Sequence, residues 1–339
     1  MLQAIMTQPG KIEFNDVPVP EVKSDQIKIK MKMIGVCGSD IHVNHGKHPY
    51  TSYPVVQGHE VSAEVVEVGA EVTNVKVGDK VTIQPQVVCG KCYPCTHGLY
   101  NACEELKVMG FQTTGMASEY FVVDASKALA LPADMSWEHG ALIEPLAVAV
   151  HAVRRAGDVK GKKIVVLGGG PIGNLVSQTA KAMGAAEVLI SELSEYRLEV
   201  ARKCGIKTVN AKNENIMDSI IANFGTDRAD IIFECIGINV TINQAIEYAR
   251  KGSTIVVVGV FGDWATVNMG YVQDRELSLL GCAMYREEDY IKAIEIVKEG
   301  LIDFDVLITH RVKFKDYAEA YDIIDQHKDK AMKVMIEME

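Results

Sequence analysis

The sequence predicts an α/β protein in which a β-rich first half precedes a doubly wound parallel sheet, and two patterns support this prediction. Residues 27–33 alternate strictly between apolar and polar side chains, as in a half-buried strand, and helical periodicity is scarce before about residue 135. Beyond about residue 150, short apolar runs alternate with helical stretches, which is typical of a parallel sheet wrapped by helices. Because 339 residues exceed the size at which one hydrophobic core stops growing, we expect two domains.

The individual strand and helix signals follow one another in a regular order. In the first half, apolar residues 61–68 end at a glycine, and a turn at 77–80 leads into 81–83. In the second half we expect strands at 164–167, 188–190, 231–233 and 255–258, and helices from the glycine cluster to Met183, at 195–203 and at 290–299. This succession predicts repeated strand–helix units.

Composition and charge exclude several classes of protein. The chain is 48% hydrophobic and 24% charged, which is ordinary for a globular enzyme. Its formal net charge of −10 would repel a nucleic acid or an anionic membrane surface. No apolar run reaches the ~18 residues of a membrane span, and the first residues, MLQAIMTQPGKIEF, do not resemble a signal peptide. We therefore expect a small-molecule substrate, with no nucleic acid or membrane as partner.

Four of the eight cysteines lie close together and predict a metal site. The spacing Cys89-x2-Cys92-x2-Cys95-x7-Cys103 offers four thiolates from one loop, the ligand set of a structural zinc. An iron–sulfur cluster and buried free thiols are the alternatives. Clustered cysteines in a long chain are more often metal ligands than disulfide partners, which agrees with a reducing cytoplasm. A zinc saturated by four sulfurs admits no substrate, so this site is expected to hold a lobe of chain.

A glycine-rich segment after the strand at 164–167 predicts a dinucleotide site. Gly168, Gly170 and Gly173 fit G-x-G-x-x-G, with Pro171 and Ile172 between them. The first glycine permits a tight turn, the second lets the backbone approach a pyrophosphate, and the third allows close packing of helix on strand. The motif alone is weak, but here a strand precedes it and a helical pattern follows, which places the helix N-terminus towards the phosphates.

Glu192 ends the next strand, about 20 residues beyond the last glycine, where a carboxylate can accept hydrogen bonds from the adenosine ribose. Such a carboxylate repels a 2′-phosphate, so NAD is favoured over NADP. Arg197 could serve a 2′-phosphate and keeps NADP open, and Glu192 could also be a solvated residue at a helix start. The ligand also crosses the ends of later strands, which makes Gly237, Gly259 and Val260 candidate neighbours of the nicotinamide half.

Metal-ligand residue types also occur in three dispersed segments. They are CGSDIH at 37–42, GHE at 58–60 and EP at 144–145. A thiolate, an imidazole and carboxylates suit a zinc ion that keeps one position open. A lone cysteine or histidine is more often a core residue, but three such segments together favour a metal site. Spacing alone does not establish that they converge.

These segments, the four-cysteine loop and GGGPIG at 168–173 occur in the order found in zinc-dependent medium-chain alcohol dehydrogenases. The chain resembles this family over essentially its whole length. It is most similar to the sorbitol dehydrogenase-like polyol branch, because Glu60 follows His59 and Glu144 precedes Pro145. Carried over from that branch, Cys37 and His59 are zinc ligands and Glu60 is the third. Glu144 then lies close to the metal or bonds its water.

The resemblance also implies the organisation of the molecule. It implies a GroES-like catalytic domain at 1–150 and a Rossmann NAD-binding domain at 151–275. The segment 276–339 would complete the sheet and return to the catalytic domain. One catalytic and one structural zinc per chain are implied, together with assembly into a homodimer or homotetramer.

Shorter segments resemble bacterial dehydrogenases that oxidise C5 of hexonates such as L-galactonate or L-gulonate. They are Ser52-Tyr53-Pro54, residues 141–145, residues 151–155 and Thr309-His310-Arg311. The chain departs from the family signature at Ala63, where glycine is usual. A methyl group on a strand affects local packing rather than the metal ligands.

The resemblance implies a mechanism in which zinc activates a substrate hydroxyl and hydride passes to NAD. Ser39 lies two residues after the zinc cysteine, where related enzymes relay the proton, and His42 could pass that proton to solvent. Glu144 could instead take the proton through water. The alternatives are a turn hydroxyl for Ser39 and a packed or surface imidazole for His42.

Other functions remain open at this point. Within the family, threonine, a vicinal diol or a cyclitol could be the substrate. A nucleic-acid-binding zinc ribbon is opposed by the acidic charge of the chain. A catalytically inactive NAD-binding scaffold or sensor, or a zinc-free quinone reductase, is opposed by the presence of Cys37, His59 and Glu60 together.

Overall fold

The fold is that of a computed structural model, which describes residues 1–327 and 329–338. The chain forms two compact units. Unit 1 contains Met1–Glu144 and the C-terminal segment from Ile308 onward, and unit 2 contains Pro145–Leu307. Residue 150 therefore lies within unit 2, and the stretch after residue 275 is divided between the two units.

Unit 1 is rich in β-structure. Its strands are β1 (Leu2–Gln8), β2 (Lys11–Asp16), β3 (Gln26–Gly35), β4 (Glu60–Val68), β5 (Lys80–Ile83), β6 (Gln86–Val87), β7 (Lys107–Val108), β8 (Tyr120–Asp124), β9 (Ala128–Ala130), β16 (Ile308–Lys313) and β17 (Lys333–Glu337). A seven-stranded sheet has the order β16–β17–β3–β4–β5–β9, with β8 also paired to β3. The pairs β1–β2 and β6–β7 form two small sheets.

Strand β3 confirms the alternation seen in the sequence. Ile27, Ile29 and Met31 are fully buried, whereas Lys28 and Lys30 between them are half-buried. The apolar face joins the hydrophobic core of unit 1. Burying each such side chain contributes about 1.5–3 kcal/mol, so the register of β3 is strongly specified.

The helices of unit 1 are short. They are α1 (Gly38–Asn44), α2 (Tyr93–Thr96), α3 (Trp137–Ala141) and α11 (Tyr317–Gln326), with 3-10 turns at Tyr100–Ala102, Ala125–Lys127 and Phe314–Asp316. Helix α1 begins directly after Cys37, whose backbone N–H donates to the Asp40 carboxylate at 2.9 Å. This local bond satisfies one polar group at the helix start and fixes Cys37 just beyond the end of β3.

Unit 2 alternates strands and helices. The strands are β10 (Lys163–Leu167), β11 (Glu187–Glu192), β12 (Lys207–Asn210), β13 (Ile231–Glu234), β14 (Thr254–Val257) and β15 (Ser278–Gly281). The helices are α4 (Ile143–Arg155), α5 (Pro171–Ala182), α6 (Glu195–Lys203), α7 (Ile216–Phe224), α8 (Asn239–Tyr248), α9 (Met269–Asp274) and α10 (Glu287–Lys298). Helix α4 begins at the last two residues of unit 1.

The sheet of unit 2 is entirely parallel and has the order β12–β11–β10–β13–β14–β15. The chain progresses in one direction from β10 to β12 and in the other from β13 to β15, which confirms the doubly wound prediction. In such sheets, ligands bind at the carboxyl ends of the strands where the order reverses, here between β10 and β13. The strands expected at 164–167, 188–190, 231–233 and 255–258 are all present, although β14 ends one residue early.

None of the helices within residues 1–327 and 329–338 combines the length and the apolar character needed to cross a membrane.

Candidate metal centre and nucleotide-binding loop

Three predicted ligands meet at the junction of β3, α1 and β4. One ligand atom from each of Cys37, His59 and Glu60 lies within 4.8 Å of the others. Antiparallel pairing sets Gly35 opposite Glu60, which brings the residues just after β3 beside those that begin β4. A Cβ at Gly35 would overlap the Glu60 carboxylate, so glycine at this position makes room for it. Sequence positions more than twenty residues apart are thus joined by strand register.

The donor set of this cluster fits zinc. A thiolate, an imidazole nitrogen and a carboxylate oxygen are the usual ligands of catalytic zinc, and three protein ligands leave a fourth position for water or substrate. His59 is 4% exposed and Glu60 is 1% exposed, whereas Cys37 is half-buried. His59 and Glu60 are therefore shielded from solvent, and Cys37 is the most accessible of the three ligands.

Asp40 faces two of these ligands and was not among the predicted site residues. Its Oδ2 accepts the Cys37 N–H, and its Oδ1 lies 3.5 Å from His59 Nδ1. Burial acts to lower the pKa of His59, but the charges of Asp40 and Cys37 outweigh it and raise the pKa well above its usual value. The site thus favours a positive charge at this position, which is what a bound metal cation supplies.

Lys333 is a second residue that the sequence analysis did not single out. It is 2% exposed, contacts the Glu60 carboxylate directly, and donates to the Val36 carbonyl at 3.0 Å. Burial opposes its charge, but Glu60 and Cys37 outweigh burial and raise the pKa of Lys333. The lone lysine in the apolar strand KVMIE was the available signal, since a buried lysine requires a partner.

The three candidate catalytic residues occupy different environments. Glu144 is 5% exposed, and its charge acts on both His59 and Lys333, so the structure brings it close to the cluster, although it is not among the three grouped ligands. Ser39 is half-buried in the first turn of α1, two residues after Cys37. His42 is exposed in the last turn of the same helix.

The four-cysteine loop forms a second compact cluster. One sulfur from each of Cys89, Cys92, Cys95 and Cys103 lies within 4.8 Å of the others, and all four are free of disulfides. The Cys89 and Cys92 N–H groups point at the sulfurs of Cys103 and Cys89, at 3.3 and 3.4 Å. Hydrogen bonds from the Glu104 and Cys95 backbone lower the pKa of Cys92 to about 7. Four converging sulfurs fit a closed tetrahedral zinc site.

The glycine loop between β10 and α5 has the geometry that the motif requires. Gly168 has φ +104° and donates to Ser191 O at 2.8 Å. Gly170 precedes Pro171, the first residue of α5, and Ile172 follows. A Cβ at Gly173 would overlap Gly168 O, whereas one at Gly170 would meet only Arg197 Nη1, at 3.9 Å. The third glycine is thus needed for packing, and the second leaves space for a ligand.

Glu192 ends β11 immediately beside this loop, because β11 pairs with β10. Its Oε2 accepts the Gly169 N–H at 2.9 Å, and its Oε1 accepts the N–H groups of Leu193 and Ser194 at 2.6 and 3.0 Å. Arg197 Nη1 lies 3.7 Å from Oε2. A carboxylate and a guanidinium therefore both stand next to the glycine loop.

The remaining predicted cofactor neighbours lie at the ends of β13 and β14. Gly237 has φ +83°, and a Cβ there would meet Val260 O at 2.5 Å. A Cβ at Gly259 would likewise overlap Gly237 N, and Val260 is 81% exposed. These residues share the carboxyl edge of the parallel sheet with Gly168 and Glu192.

Comparison with known proteins gives the same assignment for both units. Residues 23–133 match the family profile described as alcohol dehydrogenase GroES-like domain. Residues 171–299 match the profile described as zinc-binding dehydrogenase.

Relatives and solved structures match over nearly the whole length. Sorbitol dehydrogenase 1 of Saccharomyces cerevisiae is 35% identical over 98% of this chain and 96% of its own length. L-galactonate-5-dehydrogenase of Escherichia coli is 34% identical over 94% of this chain and 93% of its own. A zinc-binding dehydrogenase from Sinorhizobium meliloti 1021, solved with NADP bound, is 29% identical with a TM-score of 0.90, over 99% of this chain and 98% of that one. The chain therefore belongs to the zinc-dependent medium-chain alcohol dehydrogenase family, in its sorbitol dehydrogenase-like branch.

Proposed function

We propose that the protein is a zinc- and NAD-dependent dehydrogenase that oxidises a secondary hydroxyl of a polyol or sugar acid to the ketone. The observation that supports this most is the convergence of Cys37, His59 and Glu60 in a set that leaves a metal position open. The relatives named for sorbitol and L-galactonate indicate the substrate class, either an alditol or a hexonate such as L-galactonate or L-gulonate.

Cys37, His59 and Glu60 would hold the catalytic zinc, which supplies a Lewis acid that lowers the pKa of the substrate hydroxyl. Lys333 would balance part of the negative charge of Glu60. Ser39, on the first turn of α1, would relay the hydroxyl proton by accepting it while donating its own proton onward, and the exposed His42 on the same helix would pass a proton to water. Glu144 would be a second proton acceptor or bond the metal's water.

NAD would supply the hydride acceptor, bound at the glycine loop with its pyrophosphate at the N-terminus of α5. Gly168, Gly170 and Gly173 would shape the loop, and Glu192 would bind the adenosine ribose. Glu192 disfavours a 2′-phosphate, which supports NAD. Arg197 beside it, and the NADP bound by the Sinorhizobium meliloti relative, support NADP as the alternative cofactor.

The second zinc would be structural, held by Cys89, Cys92, Cys95 and Cys103. Its four sulfurs fill the coordination shell, so its contribution would be to fold the lobe between β6 and β7. The unpaired thiols elsewhere in the chain support a reducing compartment, and we place the protein in the cytoplasm.

A homodimer or homotetramer is proposed as the assembly. Strand β15 is an edge of the parallel sheet of unit 2 and reads SLLG, without charge or proline, and Leu279 is 37% exposed. Natural proteins usually protect such edges, and a second copy is a self-complementary way to cover one.

The test is an NAD-reduction screen over alditols, hexonates, inositols, vicinal diols and threonine, with and without a chelator. We expect at least one alditol or hexonate to yield NADH in a chelator-sensitive reaction. If only threonine, a diol or a cyclitol yields NADH, the proposed substrate class is wrong but the proposed type of reaction stands. Zinc and NAD binding without turnover on any substrate would instead identify an inactive NAD-binding scaffold.

A further inference from the structure

The Asp40 carboxylate, which faces both Cys37 and His59, is bonded by a residue that the proposed reaction does not use, and that residue is in turn bonded by a second one. Asp40 is 2% exposed, accepts the Cys37 N–H through Oδ2 at 2.9 Å, and faces His59 Nδ1 through Oδ1 at 3.5 Å. The orientation of this carboxylate therefore acts on two of the three clustered ligands at once.

Gln57 and Tyr321 extend the contact away from the cluster. Gln57, 3% exposed, donates through Nε2 to Asp40 Oδ1 at 3.1 Å. Its Oε1 accepts the Tyr321 hydroxyl at 2.9 Å. Tyr321 is 1% exposed and belongs to α11, in the C-terminal segment of unit 1. Helix α11 is thus connected to the ligand cluster by a buried chain of side-chain hydrogen bonds.

The donor and acceptor groups of Asp40, Gln57 and Tyr321 allow this series of hydrogen bonds to run in only one direction. The Asp40 carboxylate can only accept, and it already accepts the Cys37 N–H while its Oδ1 faces His59 Nδ1. Gln57 must then turn its NH2 group to Asp40 and its carbonyl to Tyr321, and Tyr321 must donate. Burial raises the pKa of Tyr321 well above its usual value, which keeps that donor protonated. The Gln57 amide does not take up and release protons as an acid or base would. This series of hydrogen bonds therefore orients the Asp40 carboxylate and does not conduct protons.

We infer that Gln57 and Tyr321 are positioning residues of the zinc centre, which hold Asp40 in the orientation that fixes Cys37 and His59 and thereby set the metal affinity. This inference rests on the proposed function only in that Cys37 and His59 bind zinc. Partners that orient metal ligands are commonly worth 10- to 100-fold in metal affinity. Because Gln57 and Tyr321 act one step further out, we expect the lower end of that range.

The experiment measures the metal site rather than turnover. Zinc affinity at the Cys37 site is determined by chelator competition on the full chain, and the thiolate-to-metal band is recorded after cobalt substitution. Gln57→Leu should weaken zinc binding by about 10-fold and shift the cobalt band. Tyr321→Phe should do the same to a smaller extent.

The double variant separates positioning from general loss of packing. If both residues act through one chain, Tyr321→Phe adds no further loss once Gln57→Leu has broken it. The matched control is Tyr100→Phe, which removes the hydrogen bond that Gln84 Nε2 donates to the Tyr100 hydroxyl at 3.2 Å. That variant should leave the affinity and cobalt band of the Cys37 site unchanged.

The outcomes distinguish this inference from the proposed function. If the wild-type chain holds no zinc that depends on Cys37, the proposed function itself fails. If it holds that zinc, but both variants match wild type in affinity and cobalt band, or their losses simply add, the positioning role is wrong. Should Gln57→Leu fail to fold, Tyr321→Phe, which removes a single oxygen atom, decides the question by the same two readouts.

Discussion

At the scale of single residues, we propose that Glu192 determines which nucleotide the glycine loop accepts. Its carboxylate receives N–H groups from Gly169, Leu193 and Ser194, so it is preorganised before any ligand arrives. We expect Glu192→Ala to weaken NAD binding by about 10- to 100-fold, the value of a charge-assisted hydrogen bond of 1.5–3 kcal/mol. Titration of the protein with NAD and NADP measures this change.

The matched control is Glu195→Ala, three residues along, whose carboxylate bonds Arg202 and Asn210 instead. It should leave NAD affinity unchanged. NADP affinity should rise in Glu192→Ala, since the repulsion of the 2′-phosphate is removed while Arg197 remains. An unchanged NAD affinity in Glu192→Ala would show that the ribose assignment is wrong.

Motif residues of the metal site were predictable, but their partners were not. Cys37, His59 and Glu60 stand in short recognisable segments. Lys333 lies 273 positions from Glu60, and only the pairing of β17 with β3 brings them together. Asp40 lies inside a predicted segment, yet its contact with His59 depends on how β4 enters the sheet. The register with which distant strands pair cannot be predicted from a single sequence.

At the scale of structural elements, we propose that the four-cysteine lobe depends on a bound zinc ion for its stability. It has few regular elements, only a four-residue helix and a 3-10 turn between Cys89 and Cys103. We expect Cys92→Ser to lose one zinc ion and to lower the melting temperature by at least about 5 °C, since metal binding free energy is folding free energy here. Calorimetry with metal analysis measures both.

Cys204→Ser provides the comparison for that variant. Cys204 is a half-buried thiol outside both clusters, so its replacement should keep both the zinc content and most of the stability. Equal melting temperatures for Cys92→Ser and Cys204→Ser would contradict a structural role for the lobe's metal.

Helices α4 and α10 are joined by a buried ion pair with a defined pH dependence. Asp289 is fully buried and contacts His151 at 2.8 Å and Arg154 at 2.6 Å. Burial acts to raise the pKa of Asp289, but the hydrogen bond from His151, together with those from the Arg286 backbone and Arg154, outweighs it and holds the pKa below its usual value. A depressed carboxyl pKa stabilises the fold above the unfolded value near 3.9, and this stabilisation is lost as pH falls through the folded pKa.

Asp289→Asn should therefore lower the free energy of unfolding by about 2 kcal/mol at pH 7, and the gap to wild type should narrow below about pH 4. Urea unfolding at a series of pH values measures this. Glu288→Gln on the same helix, half-exposed beside Arg154 and Arg286, should cost less than about 0.5 kcal/mol. A gap for Asp289→Asn that is constant from pH 7 to pH 3 would contradict the account.

Elements with strong local patterns were predictable, and elements that depend on distant partners were not. Strands β10, β11 and β13 each contain a run of at least three buried apolar residues, and α6 spans the expected residues 195–203. Strands β16 and β17 were missed because they join the sheet of unit 1 from the far end of the chain. Helix α9 has no buried residue, so its sequence lacks the apolar periodicity from which a helix could be predicted.

At the scale of the whole molecule, the position of β15 at the edge of its sheet leads us to expect self-association. We expect the wild-type protein to be a dimer or tetramer, and Leu279→Lys to shift it towards smaller species because a charge on an edge strand opposes pairing. Light scattering after gel filtration measures the mass. Leu301→Lys, at another exposed leucine of unit 2, should leave the mass unchanged. A monomeric wild-type protein would contradict the proposed assembly.

The division of the chain into two units was expected from its length, and the parallel sheet of unit 2 from the alternation of its strands and helices. The chain passes from one unit to the other at 144/145 and at 307/308, and no sequence pattern predicts either boundary. The first falls within the continuous helix α4, where neither a loop nor a change in composition marks it. Boundaries inside regular elements are set by packing, which local sequence does not report.

The number of zinc ions per chain in wild type and in Cys37→Ala tests the central claim most directly. We expect about two zinc ions in wild type and about one in Cys37→Ala, with NAD affinity retained, because the four-cysteine site and the glycine loop lie elsewhere in the chain. A Cys37→Ala protein that keeps the wild-type zinc content would show that Cys37, His59 and Glu60 do not form the catalytic metal site.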